Sequence, residues 1–111
     1  MINPNEVFVG PDGQAVVEAK PGVTGPVEVV LKDLIERSLL SSTESTPASV
    51  KLRRGKLLKR KIISAKKEFK FTSKDISLIL EAAGGVLTTW AYTWLVEQID
   101  PNQLSEENDT D

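Results

Sequence analysis

The chain contains no cysteine and no histidine. Their absence excludes disulfides, thiolate nucleophiles, zinc sites of the usual nitrogen–sulfur kind and histidine general bases together. Aromatics are sparse as well, at three Phe, two Trp and one Tyr. Catalysis is left with carboxylate, Lys, Ser/Thr and that single Tyr, so the composition points away from an enzyme. No cofactor, metal or small-molecule substrate is expected. Long apolar runs are also missing. The longest uncharged stretch, Ala82 to Val96, contains Gly84-Gly85 and several Thr. It is shorter than the roughly 20 mostly apolar residues a bilayer span requires, so it reads as a buried helix. The opening MINPNEVFVG has neither a positive start nor an apolar stretch of about 7–15 residues, so no signal peptide is read there. The expectation is a cytoplasmic protein with no membrane partner.

What is present is globular in balance, with 111 residues of which 40% are hydrophobic and 27% charged. That fits a single small domain over residues 1–100. The segment NQLSEENDTD has four acids and one apolar residue, which predicts a flexible acidic tail over 101–111.

The net charge of -2 conceals a strong asymmetry. Between Lys51 and Lys70 lie ten basic residues and one acid, Glu68, for a local net of +9. The other 91 positions hold four basic and fifteen acidic residues, for a net of -11. A local basic surface of this kind attracts anionic partners despite an acidic whole. The alternative is internal pairing, in which the acidic parts neutralise the basic helix in the same molecule or in a second copy.

Glu6–Val9 and Ala15–Ala19 flank Gly10-Pro11-Asp12-Gly13, and Pro second with Gly fourth suits a type I turn, so a β-hairpin is predicted. Pro21, Gly22, Gly25 and Pro26 form a breaker-rich link. Val30, Leu31, Leu34, Ile35 and Leu39 then recur at helical spacing, predicting a helix from about Val29 to Leu40 whose valine-rich start is alternatively a third strand. After the polar loop SSTESTPAS, a second helix is expected over Pro47–Ala65, with Val50, Leu57, Leu58, Ile62 and Ala65 buried. Gly55 is a point where it kinks or frays. A short extended link follows at Phe69–Phe71. Thr72 or Ser73 caps a third helix with Asp75 in its first turn. Gly84-Gly85 interrupts or ends it. A fourth helix runs to about Ile99 on a stripe of Leu87, Trp90, Ala91, Trp94 and Leu95, stopped by Pro101. The fold class is therefore α+β, a small amino-terminal hairpin followed by three to four helices in one core.

The basic helix is the sharpest feature. Lys51, Arg53, Arg54, Lys56, Lys59, Arg60, Lys61, Lys66 and Lys67 are the candidate binding residues, for protein or for phosphate. Phosphate contact would make binding salt-sensitive. The segment has no interleaved aromatic before Phe69, so a base-stacking platform is not supported. Arg53, Arg54 and Arg60 are nonetheless of the type that reads guanine. Leu57, Leu58, Ile62 and Ile63 beneath a lysine fringe would suit a membrane surface, but the surrounding acid opposes it. Trp90 and Trp94, four apart, share one helical face and read as core rather than as a partner anchor. Tyr92 and Val96 face the other way and are the candidate partner contacts. Ser64 beside Lys66 and Lys67 forms a serine–lysine pair with no inferable oxyanion donor. Glu106, Glu107, Asp109 and Asp111 lack the Gly-turned loop of a cation site.

The order of these segments resembles short proteins of tailed bacteriophages and prophages. The likeness spans roughly residues 7 to 98. It rests on the Asp12-Gly13 turn, on Val30-Leu31-Lys32-Asp33-Leu34-Ile35 through Leu40, on Leu52-Arg53-Arg54-Gly55-Lys56-Leu57-Leu58, and on Phe71-Thr72-Ser73-Lys74-Asp75-Ile76. Such proteins have a Pro-containing link before the last helix, where this chain has Gly84-Gly85, and a less basic second helix. The resemblance implies a phage source and assigns no activity to any residue. The function expected from these readings is non-enzymatic binding, to a protein partner or to itself. A sequence-tolerant nucleic-acid binder or transcription regulator using residues 51–67 is the alternative.

Overall fold

A computed structural model describes residues 2–63 and 70–100. The elements are β1 (Val17–Glu18), β2 (Val27–Glu28), α1 (Leu31–Leu40), α2 (Ala48–Leu57) continuing into a π turn (Leu58–Ile62), α3 (Ser73–Gly84) and α4 (Thr89–Ile99). The α+β class, an amino-terminal hairpin followed by four helices in one compact globule, is as the sequence predicts. The paired strands, however, are Val17–Glu18 and Val27–Glu28, either side of the expected link. The predicted pairing of Glu6–Val9 with Ala15–Ala19 is reduced to an isolated bridge between Val9 and Ala15.

The amino-terminal part is held by backbone hydrogen bonds more than by regular strands. Gly13 N–H donates to Gly10 O and Gly10 N–H donates to Gln14 O. Gly13 has φ +79°, so Pro11-Asp12-Gly13 is a three-residue loop of the type I plus bulge kind, where the left-handed position favours glycine. β1 pairs antiparallel with β2, Val17 opposite Glu28 and Glu18 opposite Val27. The valine-rich stretch before α1 thus supplies a strand, one of the two alternatives it offers. Three segments then close on themselves. Phe8 N–H donates to Val29 O at 2.8 Å, Val29 N–H to Val16 O at 2.8 Å, and Val16 N–H to Phe8 O at 2.9 Å. The cycle satisfies three donors and three acceptors with very short strands.

The same segment caps α1. Val30 has no side-chain acceptor for the first helical N–H groups. Backbone carbonyls serve instead, with Leu31 N–H donating to Glu6 O and Lys32 N–H to Pro4 O. Asp33 accepts from Val30 N–H and pairs with Lys20 at 3.2 Å, tying the link to the helix start.

The core gathers Leu31, Leu34, Ile35 and Leu39 of α1, Leu57, Leu58 and Ile62 of α2 and its π turn, Ile79, Leu80 and Ala83 of α3, and Ala91, Trp94, Leu95, Val96 and Ile99 of α4, with Phe8 and Val29. Phe8 packs on Trp94 with ring centroids 5.0 Å apart. Gly55 does not break its helix. The change comes three residues later, where Ile63 N–H reaches back five residues to Leu58 O. A turn of that width brings Leu57, Leu58 and Ile62 to the core side together, a register a uniform α-helix would not keep over five residues.

Two expectations about α4 are corrected. Its buried face is turned by almost one residue from the predicted stripe. Trp90 is 43% exposed, and Val96, expected to be available to a partner, is 3% exposed. The predicted stripe assumed cover on one side of α4 only. In the folded chain α1 and α3 both pack on it, so the buried arc widens past Tyr92, which is half-buried against the core, to include Val96. Trp90 sits at the arc's edge and donates its indole N–H to Val9 O at 2.8 Å, so it fastens α4 to the hairpin. Ala65, Phe69, Ser64 and the tail 101–111 lie outside the described residues.

Candidate functional site

The chemistry of the surface is set by how α2 lies against α3. Thr72 caps α3: its hydroxyl accepts from Asp75 N–H at 3.1 Å, and Asp75 Oδ2 accepts from Thr72 N–H at 3.1 Å. This reciprocal box fixes Asp75 in the first turn, where the helix dipole favours an anion. The second ligand of that carboxylate is Lys61, whose Nζ lies 2.7 Å from Oδ2. Lys61 also donates to Lys70 O and lies 5.9 Å from the Phe71 ring centroid. Burial pushes the Asp75 carboxyl up, but the Lys61 hydrogen bond and charge and the Thr72 donor outweigh it. Its pKa lies below the ordinary 3.8.

Beside this pair opens a groove of about 730 Å³ between α2 and α3. Arg53, Lys56, Leu57, Arg60 and Lys61 line one wall; Thr72, Ser73, Lys74, Asp75, Ser77, Leu78 and Glu81 line the other. Half-buried Leu78 gives the lining its apolar surface, with fully buried Leu57 packed behind it, while Arg53, Lys56, Arg60 and Lys74 are exposed. The first turn of α3 adds the Ser73 hydroxyl, and the next turn that of Ser77. Such a groove suits an extended acidic segment, with carboxylates beside the cations and small apolar groups against Leu78.

The candidate cations separate into three groups. Arg53, Lys56 and Arg60 face the groove, and the structure adds Lys74, which sequence reading did not single out because it lies outside the basic run. Among the described residues no ion pair joins any of these four to an acid; Arg60 donates only to Lys56 O, at 3.4 Å. Lys51 and Lys59 are exposed but outside the groove. Arg54 and Lys61 are corrected from surface ligands to structural ones. The Arg54 guanidinium donates to Ser41 O at 2.8 Å, holding the polar loop, and its Nε is buried without a partner among the described residues. Lys61 is engaged by Asp75. Lys66 and Lys67 lie outside the described residues. Internal pairing of the basic helix is thus limited, among the described residues, to Lys61 and Asp75.

Among the described residues no three acidic side chains gather in a way that would hold a metal ion. No described helix is long and apolar enough to cross a membrane. The chain matches no protein-family model, no curated protein and no solved structure.

Proposed function

We propose that this is a non-enzymatic accessory protein of a tailed bacteriophage, acting in the host cytoplasm by binding an acidic surface of another protein or of a second copy of itself. The groove between α2 and α3 is the contact site. The observation that carries the reading is the set of Arg53, Lys56, Arg60 and Lys74 around half-buried Leu78, with no ion pair to neutralise them among the described residues. Clustered like charges are unfavourable on their own and favourable beside an anion. The fork of each guanidinium matches a carboxylate bidentately.

A second reading is a sequence-tolerant nucleic-acid binder. It draws on Lys51 and Lys59, which carry the positive surface round α2 beyond the groove. Among the described residues no aromatic side chain lines the groove to stack a base.

An anisotropy titration separates the two. Labelled acidic peptide, duplex DNA, single-stranded DNA and RNA are each titrated at roughly 50 and 200 mM salt, a range over which phosphate-driven binding through six or more contacts weakens by about 10³-fold or more. Peptide binding lost on Lys56→Glu with Arg60→Glu supports the protein-binding site. Tight nucleic-acid binding with that steep salt loss supports the second reading. Peptide affinity unchanged by the charge reversal would sink the groove as the site.

A further inference from the structure

We propose that Glu81 makes the groove between α2 and α3 one-ended, so that it recognises a segment of another protein by acidic side chains gathered at one end and gives an evenly charged polyanion no further advantage. The inference rests on the groove being a site for acidic segments, and names which of them it takes. The two walls differ in charge pattern. On α2 and its π turn, Arg53, Lys56 and Arg60 follow one another at intervals of three and four, three cations on one wall. On α3, Lys74, Ser77, Leu78 and Glu81 stand at i, i+3, i+4 and i+7, which is one helical face. Along the axis that face reads cation, hydroxyl, apolar, anion. Glu81 is exposed and joins no ion pair among the described residues.

The Lys61–Asp75 contact gives the groove its direction, because the π turn ends there and α3 begins. Arg60 and Lys74 each adjoin one member of that pair in sequence, so the near end carries a cation on either wall. Chain direction takes Arg53 about two turns from the contact along α2, and Glu81 about 9 Å from it along α3. The far end therefore presents an anion as well as a cation. A ligand carboxylate at the near end meets Arg60 and Lys74, while Asp75 is already engaged by Lys61. At the far end it meets Arg53 but lies beside Glu81, so attraction and like-charge repulsion offset. A Lys there is offset in the opposite sense. Lys74 and Glu81 are about 10 Å apart along the helix, the length of roughly three extended residues. The fitting segment thus has acids first, an apolar side chain against Leu78 about two residues on, and no required charge beyond it.

The test uses the full chain and two labelled peptides, Glu-Glu-Ala-Leu-Glu-Glu and Glu-Glu-Ala-Leu-Lys-Lys. They are titrated by anisotropy at about 0.1 M ionic strength, where a Debye length of about 10 Å confines the comparison to charges in and beside the groove. The unaltered chain is expected to bind the two within about threefold of each other, the range of screened surface charges. Glu81→Gln keeps the shape of the side chain and leaves Arg53 unopposed. It should tighten the all-acidic peptide and weaken the mixed one, moving their affinity ratio about fivefold, as one exposed attraction gained and one lost would do. Glu97→Gln makes the same change of net charge on α4, outside the groove, and should leave the ratio unchanged. Lys56→Glu with Arg60→Glu should abolish binding of both peptides. A ratio unmoved by Glu81→Gln, with both peptides still lost on the groove reversal, would overturn the one-ended reading and leave the acid-binding groove standing. A shift matched by Glu97→Gln would overturn it too, as an effect of net charge alone. So would an unaltered chain that already prefers the all-acidic peptide by about tenfold or more. Failure of the all-acidic peptide to bind, or binding that survives the groove reversal, would overturn the groove reading itself.

Discussion

Lys61 Nζ and Asp75 Oδ2 are 2.7 Å apart, joining the π turn after α2 to the cap of α3. This contact ties the two groove walls together at Asp75, which is also half of the capping box that starts α3. Replacing Asp75 by Ala should cost about 1–3 kcal/mol, from the lost cap and the partly buried ammonium left behind. Urea unfolding measures it, and a change below a few tenths would mean that the pair is ornamental.

The same carboxylate gives a sign for the pH dependence. Its folded pKa lies below the unfolded value, so the ionised form stabilises the fold above the ordinary 3.8. That stability is lost as pH falls through 3.8 towards the lower folded value. The unaltered chain should therefore lose its advantage over Asp75→Asn across this acid window. Parallel stability profiles from pH 6 down to 3 would contradict the linkage.

Not every cation of the basic run should matter for binding. Charge reversal at Arg53, Lys56 and Arg60 is expected to weaken an acidic peptide at least tenfold, whereas reversal at Lys51 and Lys59, outside the groove, should change it less than about threefold, the range of screened surface charges. Arg54→Met should leave affinity intact while freeing the loop at Ser41. A peptide titration across the three variants, at one ionic strength, reads the order directly.

Trp90 has a structural task despite its exposure. Trp90→Phe keeps the ring and removes the indole donor to Val9 O, at an expected cost of about 0.5–1.5 kcal/mol. Thermal unfolding followed by circular dichroism checks this, and hydrogen exchange should show faster opening of the hairpin around Val9.

Val96 belongs to the core, 3% exposed in α4. Val96→Ala should destabilise by about 1–2.5 kcal/mol through lost burial and a small cavity, without touching affinity for an acidic peptide. Tyr92→Phe should leave both nearly unchanged. Lost affinity with unaltered stability in Val96→Ala would restore this side of α4 as a contact face.

Local chemistry in the sequence determined much of this protein. Pro11 and Gly13 place the first turn, Thr72 and Asp75 start α3, and the spacing of Leu31, Leu34, Ile35 and Leu39 makes α1 amphipathic. These are interactions among residues within a few positions of one another, so they are legible without the fold. Which cations remain available was not legible. Arg54 and Lys61 are chemically alike to Arg53 and Lys56 in the run, and only the approach of Ser41 and Asp75 from distant positions engages them in internal contacts. The rotation of α4 was hidden for the same reason, since its buried arc depends on α1 and α3 packing against it together. The groove itself, with Lys74 on its far wall, exists only where α2 and α3 lie side by side, joined by the Lys61–Asp75 contact and by the core they share. Charge and periodicity are properties of the chain; which side chains meet is decided by long-range packing.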